Sequence, residues 1–247
     1  MYKTKGFIIG ASLLALVLIA GNIGLACGAK PAQEPTSPPP VTEPAPVPST
    51  PPLLPEEILL SPAPVSTKPE IPADFTTYTD ETNVFNVSYP SDWELALSSI
   101  AGADEYTKEV IRQLNAGIPV DKTSTLFIAG LRTATGGHDP TVMIIVEPVP
   151  EEIPTHIEMV EAEIRGAKKI IPDYKQISRL KITIDGREAT ILEWEGTAPG
   201  QTKAHFLQML TIARETTWLV SCATSVSDFS KWQNDFNAIV RSLRISR

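Results

Sequence analysis

The chain reads as an α+β protein, an antiparallel sheet of about six or seven strands with helices on both faces, which is an α/β/α sandwich. Three observations point there. Leu180, Ile182 and Ile184 alternate with Lys181 and Thr183, and Asp185-Gly186 follows before Arg187 to Glu195. That is a hairpin with a type I′ turn, and Asp185 and Gly186 are its structural residues. Thr155-His156-Ile157-Glu158 is a capping box, with Ile157, Val160 and Ile164 on one helical face behind it. Phe229, Trp232, Phe236, Ile239 and Leu243 recur at spacings of three and four, the stripe of a helix packed on a sheet.

The remaining elements follow from strand-length apolar runs. Tyr78 and then Val84 to Tyr89 open the body, and Leu126 to Leu131 and Val142 to Val146 follow. The unbroken run Met143-Ile144-Ile145-Val146 predicts a strand covered on both sides. Gly196 to Gln201 is a turn, and Ala204 to Arg214 and Trp218 to Ala223 are two more strands, joined near Glu215-Thr216. Four consecutive strands with short connections make a meander. Ser227 is the expected cap of the last helix. A further helix is expected over Ala103 to Ala116, stopped by Gly117 with Pro119 beyond.

Before this body lie 72 residues of another kind. Lys3 and Lys5 precede an apolar run from Phe7 to Ala20, which ends at Gly24-Leu25-Ala26-Cys27. Basic start, apolar stretch and small residues are an export signal. Residues 1–26 are read as that signal and Cys27 as the lipid-attachment residue of a lipoprotein, although Gly24 stands where such signals usually carry Leu. Two other readings stay open. Gly6 to Ala29 holds no charge and is long enough to serve as an uncleaved transmembrane anchor; alternatively, cleavage after Ala26 releases the protein. All three place the body outside the cytoplasmic membrane.

Residues 28–72 are read as a disordered tether, because 15 prolines fall between Pro31 and Pro72 and such composition buries too little to offset chain entropy. In polyproline II it could reach on the order of 100 Å. Residues 73–247 form one globular domain. Without the signal the chain has 19 basic and 29 acidic residues, a net charge of −10, which argues against nucleic acid as a partner. The expected partners are the membrane, through the N-terminus, and an envelope protein. Cys222, in Trp218 to Ala223, is read as a small buried hydrophobe rather than a reactive thiol.

Within the body, Tyr78-Thr79-Asp80 and Phe85-Asn86-Val87-Ser88-Tyr89-Pro90-Ser91-Asp92-Trp93 resemble the opening of PsbP-like domains. These are named for the extrinsic subunit of the oxygen-evolving complex of photosystem II. Leu219 to Ala223, Phe229, Phe236 and Ile239 to Arg244 resemble their closing part. The resemblance implies an α/β/α sandwich that is not an enzyme and serves as an extrinsic subunit, assembly factor or binding module. The proline tether stands where the photosynthetic proteins have their specific tail, so oxygen evolution does not carry over. Residues 101–122 read as an insertion. Pro90, Asp92 and Trp93 are structural: Pro90 ends the strand, Asp92 can bond the turn backbone, and Trp93 packs on the sheet edge.

No motif of nucleophilic, phosphate-binding or metalloprotease chemistry is present. No catalytic residue, cofactor or metal is expected. The residues that could contribute metal ligands are His138 and Asp139, in a glycine-bearing loop from Thr135, and Glu193 and Glu195 on one strand face. Their plainer reading is a solvated loop and strand charges paired with Lys203 and Arg187. Glu161 and Arg165 form an expected i,i+4 pair. The function expected is a tethered, non-catalytic binding or scaffold domain; an extrinsic subunit of a membrane redox or photosynthetic complex and an envelope hydrolase with an unrecognised site are the alternatives.

Overall fold

The computed structural model describes residues 70–97, 112, 113, 116, 120, 123–132, 138–150, 155–198 and 201–246. The signal, Cys27, the tether before residue 70 and most of the expected 103–116 helix lie outside them.

Among the described residues ten strands and two helices follow in the order β1 (Phe75–Thr79), β2 (Phe85–Pro90), β3 (Glu94–Leu97), β4 (Ser124–Arg132), β5 (His138–Pro148), α1 (His156–Ile170), β6 (Lys175–Ile184), β7 (Arg187–Thr197), β8 (Lys203–Ala213), β9 (Thr216–Ser225), α2 (Phe229–Ser242) and β10 (Arg244–Ile245). They make two sheets rather than the single one expected. One has seven antiparallel strands in the order β3-β4-β5-β9-β8-β7-β6. The other has three, β1-β2-β10. The second sheet escapes sequence reading because β10 is two residues long and pairs with a strand more than 150 residues earlier.

The meander β6-β7-β8-β9 has the expected course. Its first turn carries Asp185 at φ 51° and Gly186 at φ 73°, both left-handed as a type I′ turn requires. The turn between β8 and β9 uses Arg214 and Glu215, both at φ 55°, without glycine to announce it.

Side chains of successive strand residues alternate between two core clusters. The first gathers Ile144, Ile191, Leu207, Met209, Trp218 and Val220 with Phe85, Val87 and Tyr89 of the small sheet and Phe229, Phe236 and Ile239 of α2. The second gathers Met143, Ile145, Leu192, Trp194, Phe206, Leu210 and Leu219 with Val160, Ile164 and Ala167 of α1. Aromatic rings join the two sheets: Phe85 meets Trp218 edge-on at 5.8 Å, and Tyr78 lies 5.1 Å from Phe127.

The Thr155 hydroxyl accepts from Glu158 N, the Glu158 side chain accepts from Thr155 N, and α1 starts on this reciprocal cap. At α2 the cap differs from expectation. Asp228, not Ser227, holds the N-cap place and makes no side-chain cap bond; its carboxylate instead accepts from the Ser225 hydroxyl at 2.8 Å. The α1 pair also differs, since Glu161 meets Arg179 of β6 rather than Arg165. A cross-element guanidinium reaches it where a helical neighbour was expected.

After β2, Trp93 N donates to Pro90 O at 3.1 Å and closes the turn that Pro90, Ser91 and Asp92 form. Trp93 is buried and packs edge-on against Trp232 and Phe236 of α2, so it lies against the helix as well as the start of an edge strand.

Candidate functional site

A polar cluster lies where β7 ends and β8 begins. The β7–β8 register sets Glu195 opposite His205 and Glu193 opposite Leu207, two pairs along. Residues of one parity share a face, so both carboxylates flank the imidazole. His205 Nε2 faces Glu193 Oε1 at 3.0 Å and Nδ1 faces Glu195 Oε1 at 3.5 Å. A carboxylate only accepts, so the shorter contact is a hydrogen bond when Nε2 carries the N–H. The ring stacks on Phe229, the first residue of α2, with centroids 3.4 Å apart and planes 8° from parallel. Only 6 % of His205 is exposed.

The surroundings extend this cluster across the sheet. The Ser178 hydroxyl of β6 donates to Glu193 Oε2 at 3.1 Å. Lys203 Nζ lies 2.9 Å from Glu195 Oε2, and its hydrogen bond holds the Glu195 carboxyl below the usual range. His205 is paired in register with Thr224 of β9, and Thr224 donates to Asp139 Oδ1 of β5 at 2.7 Å. A polar row thus runs over β6, β7, β8, β9 and β5.

This row brings together three of the four residues singled out in the sequence: Asp139, Glu193 and Glu195. His138 is the first residue of β5, its side chain and the preceding loop lying outside the described residues. Lys203 pairs with Glu195, but Arg187 does not join the cluster; it lies 3.9 Å from Asp185 at the other end of β7. Among the described residues no group of three or more His, Cys, Asp or Glu is placed to hold a metal ion.

His205 and Thr224, which bridge the row, were not singled out as site residues in the sequence; His205 counted there only as one of three histidines without metal-type spacing. Spacing along the chain does not show them, because they meet the carboxylates through register. The turn at 196–201 was the available signal, but pairing about its centre sets residue 195 opposite residue 202, three places short of the observed His205.

A second histidine sits apart. His156, at the start of α1, contacts Thr190 Oγ1 of β7 through Nε2 at 2.9 Å. Its buried Nδ1 meets no partner among the described residues, and burial lowers its affinity for a proton. Cys222 is fully buried, and desolvation pushes its thiol far above the ordinary value.

Fold and site together define a two-sheet α+β domain whose polar cluster is closed by its own side chains. The chain belongs to the PsbP family, whose model matches residues 73–245. Among solved structures it is similar to cyanobacterial PsbP (CyanoP) from Synechocystis sp. PCC 6803, at 15 % identity and a TM-score of 0.47, over 76 % of this chain and 99 % of that one. It is also similar to LpqN, involved in cell envelope biogenesis of Mycobacterium tuberculosis, at 12 % identity and a TM-score of 0.43, over 72 % and 90 %. A third is PA94 of Pseudomonas aeruginosa, a putative regulator of unknown function, at 12 % identity and a TM-score of 0.41, over 70 % and 97 %. No curated protein matches the chain.

Proposed function

We propose that this protein is an envelope lipoprotein that holds a non-catalytic PsbP domain outside the cytoplasmic membrane, where the domain binds another envelope protein. The observation that carries this reading is the order of parts along the chain. A basic start, an apolar run and Cys27 lead into the proline-dense stretch, and that stretch ends where the family match begins, at residue 73. Such an order delivers a folded body to the outer side and sets it at a distance from the membrane. The domain is read as an α/β/α sandwich, with α1 and α2 on opposite faces of the large sheet. Support comes from the separate clusters that the two helices share with alternate strand residues.

The binding role is favoured over catalysis by the state of His205. Both ring nitrogens face carboxylates and one ring face is covered by Phe229. A general base needs a nitrogen free to reach a substrate proton.

Metabolic labelling with a clickable palmitate tests the anchor. The wild-type chain is expected to take the label and Cys27→Ser to lose it; an unlabelled wild type overturns the lipoprotein reading. Proximity labelling from intact cells, with the full chain as bait, tests the role. A reproducible envelope partner is expected. Hydrolysis in a substrate screen with no enriched partner replaces the binding module with an enzyme.

A further inference from the structure

The two edges of the seven-stranded sheet are built differently. At one, β3 is four residues long and its register with β4 shifts between Leu95 and Leu97. At the other, β6 is ten residues long and its one ladder partner among the described residues is β7. Every residue from Lys175 to Lys181 is exposed. Sheets usually blunt an edge by shortening or bulging it. β3 does both. β6 has a bulge between Gln176 and Ser178, but from Ser178 to Ile184 its register with β7 is unbroken.

The hydrogen-bonding direction of that stretch follows from the turn. A two-residue hairpin loop makes its flanking pair, Ile184 and Arg187, a hydrogen-bonded one. Bonding alternates along an antiparallel ladder, so Thr183, Lys181 and Arg179 direct their N–H and C=O groups away from β7. This row of groups fits an extended backbone.

Side chains define what that backbone carries. β6 holds Lys175, Arg179 and Lys181 and no acid, in a chain of net charge −8. Arg179 and Lys181 sit on one side of the strand, where Glu161 and Glu188 hold them in place. Their side chains remain 31 % and 56 % exposed, leaving room for a further carboxylate. Leu180 points to the other side and is 44 % exposed.

We propose that β6 takes up an extended segment of the protein partner by strand addition along Ser178–Ile184, the segment carrying acidic residues toward Arg179 and Lys181 and apolar residues toward Leu180. The inference rests on the binding-module reading and names its surface. Backbone bonds supply affinity, and alternate side chains supply selectivity.

The test uses the full chain in detergent micelles and a fluorescein-labelled eight-residue peptide of alternating Glu and Val, read by anisotropy at low salt. The acidic peptide is expected to bind at least about tenfold more tightly than its Lys-Val counterpart, with the difference shrinking at high salt. Lys181→Pro removes an outward N–H at a position where an edge strand tolerates proline; it is expected to weaken binding by about tenfold, and Lys181→Ala by less. The double variant Arg179→Glu, Lys181→Glu is expected to reverse the peptide preference, which keeps the test decisive if the proline variant does not fold. Equal binding of the two peptides, or unchanged binding by a folded Lys181→Pro protein, overturns the proposal. Photo-crosslinkers at Thr183 and at exposed Ser230 of α2, used in intact cells, separate it from the broader reading. A partner caught from Ser230 and never from Thr183 overturns the edge proposal and leaves the binding module standing; no partner from either site overturns both.

Discussion

Trp194 and Trp218 are both fully buried on inner strands of the same sheet, yet their surroundings hold them by different means. Trp194 lies between Phe206, stacked at 3.9 Å, and Tyr174 at 5.2 Å. Its Nε1–H donates to Gln208 Oε1 at 2.8 Å, and Gln208 donates in turn to Ser221 at 3.1 Å. Trp218 meets Phe85 of the small sheet edge-on, and its buried Nε1 has no partner among the described residues. Trp194 is thus oriented by a polar chain within one sheet. Trp218 is a joint between two sheets, held by shape. Each side also has a histidine: His156 over Thr190 on the Trp194 side, and His205 against Phe229 on the other. The polar chain fixes one ring orientation, because rotating Trp194 strands a buried acceptor. The joint has no such directional tie.

The largest expected effect separates joint from stack. Phe85→Ala and Phe206→Ala should each cost about 3–5 kcal/mol in denaturant unfolding. Hydrogen exchange should then differ: Phe85→Ala should speed exchange throughout β1 and β2, whereas Phe206→Ala should act around Trp194. Equal protection of β2 in the two variants would break the comparison.

Next comes Gly196, beside Trp194. A Cβ there would lie 2.5 Å from Ile171 Cγ2, a methyl on a stiff, buried branch. Gly196→Ala should therefore destabilise by about 1–3 kcal/mol through overpacking. A neutral result would show that the Trp194 side has slack.

The tryptophans themselves follow. Trp194→Phe leaves the Gln208 acceptor without its donor, whereas Trp218→Phe removes a donor that has no partner among the described residues. Both shrink a buried ring, so the difference isolates the bond. Trp194→Phe should cost about 1–2 kcal/mol more than Trp218→Phe. The reverse order would mean that the joint, not the polar chain, is the stricter site.

Two smaller effects read through pH. Burial lowers the His156 value below its ordinary 6.5, so the unfolded chain takes up this proton first. Its contribution to stability is therefore full above about pH 6.5 and is lost as pH falls through the folded value. His156→Gln should flatten the melting temperature between pH 7 and 5, and an unchanged slope would refute this. Asp235 of α2 is shifted upward, by burial first and then by Asp74 and Asp92. Its ionised form is thus disfavoured in the fold. Asp235→Asn should raise the melting temperature at pH 7 and have no effect near pH 3, where both folded and unfolded chains hold the proton.

How legible these regions were differs for a physical reason. The β6–β7 hairpin could be read because Asp185-Gly186 and period-two alternation are local signals. Even there alternation put Leu180 on the face of Ile182 and Ile184 without saying how near an edge the strand lies, and Leu180 is exposed. The β8–β9 turn was placed only approximately, because Arg214 and Glu215 adopt left-handed backbone without the usual residues. The capping box at Thr155 was legible for the same local reason, whereas Glu161 chose Arg179 over Arg165, which no helical spacing reveals. In the polar row, Glu193 and Glu195 stood out as a pair, but His205 and Thr224 join them through strand register and Ser178 through its place on the neighbouring strand.

By itself, then, the sequence determined the α+β class, the meander with its I′ turn, the two helices and the family, because periodicity, caps and turn residues act within a few positions. Only the tertiary structure decided the separate β1-β2-β10 sheet, the Trp218 joint, the closure of His205 and the exposed length of β6. Those depend on which strands become neighbours and which remains at an edge, and contacts between residues far apart in the chain settle that.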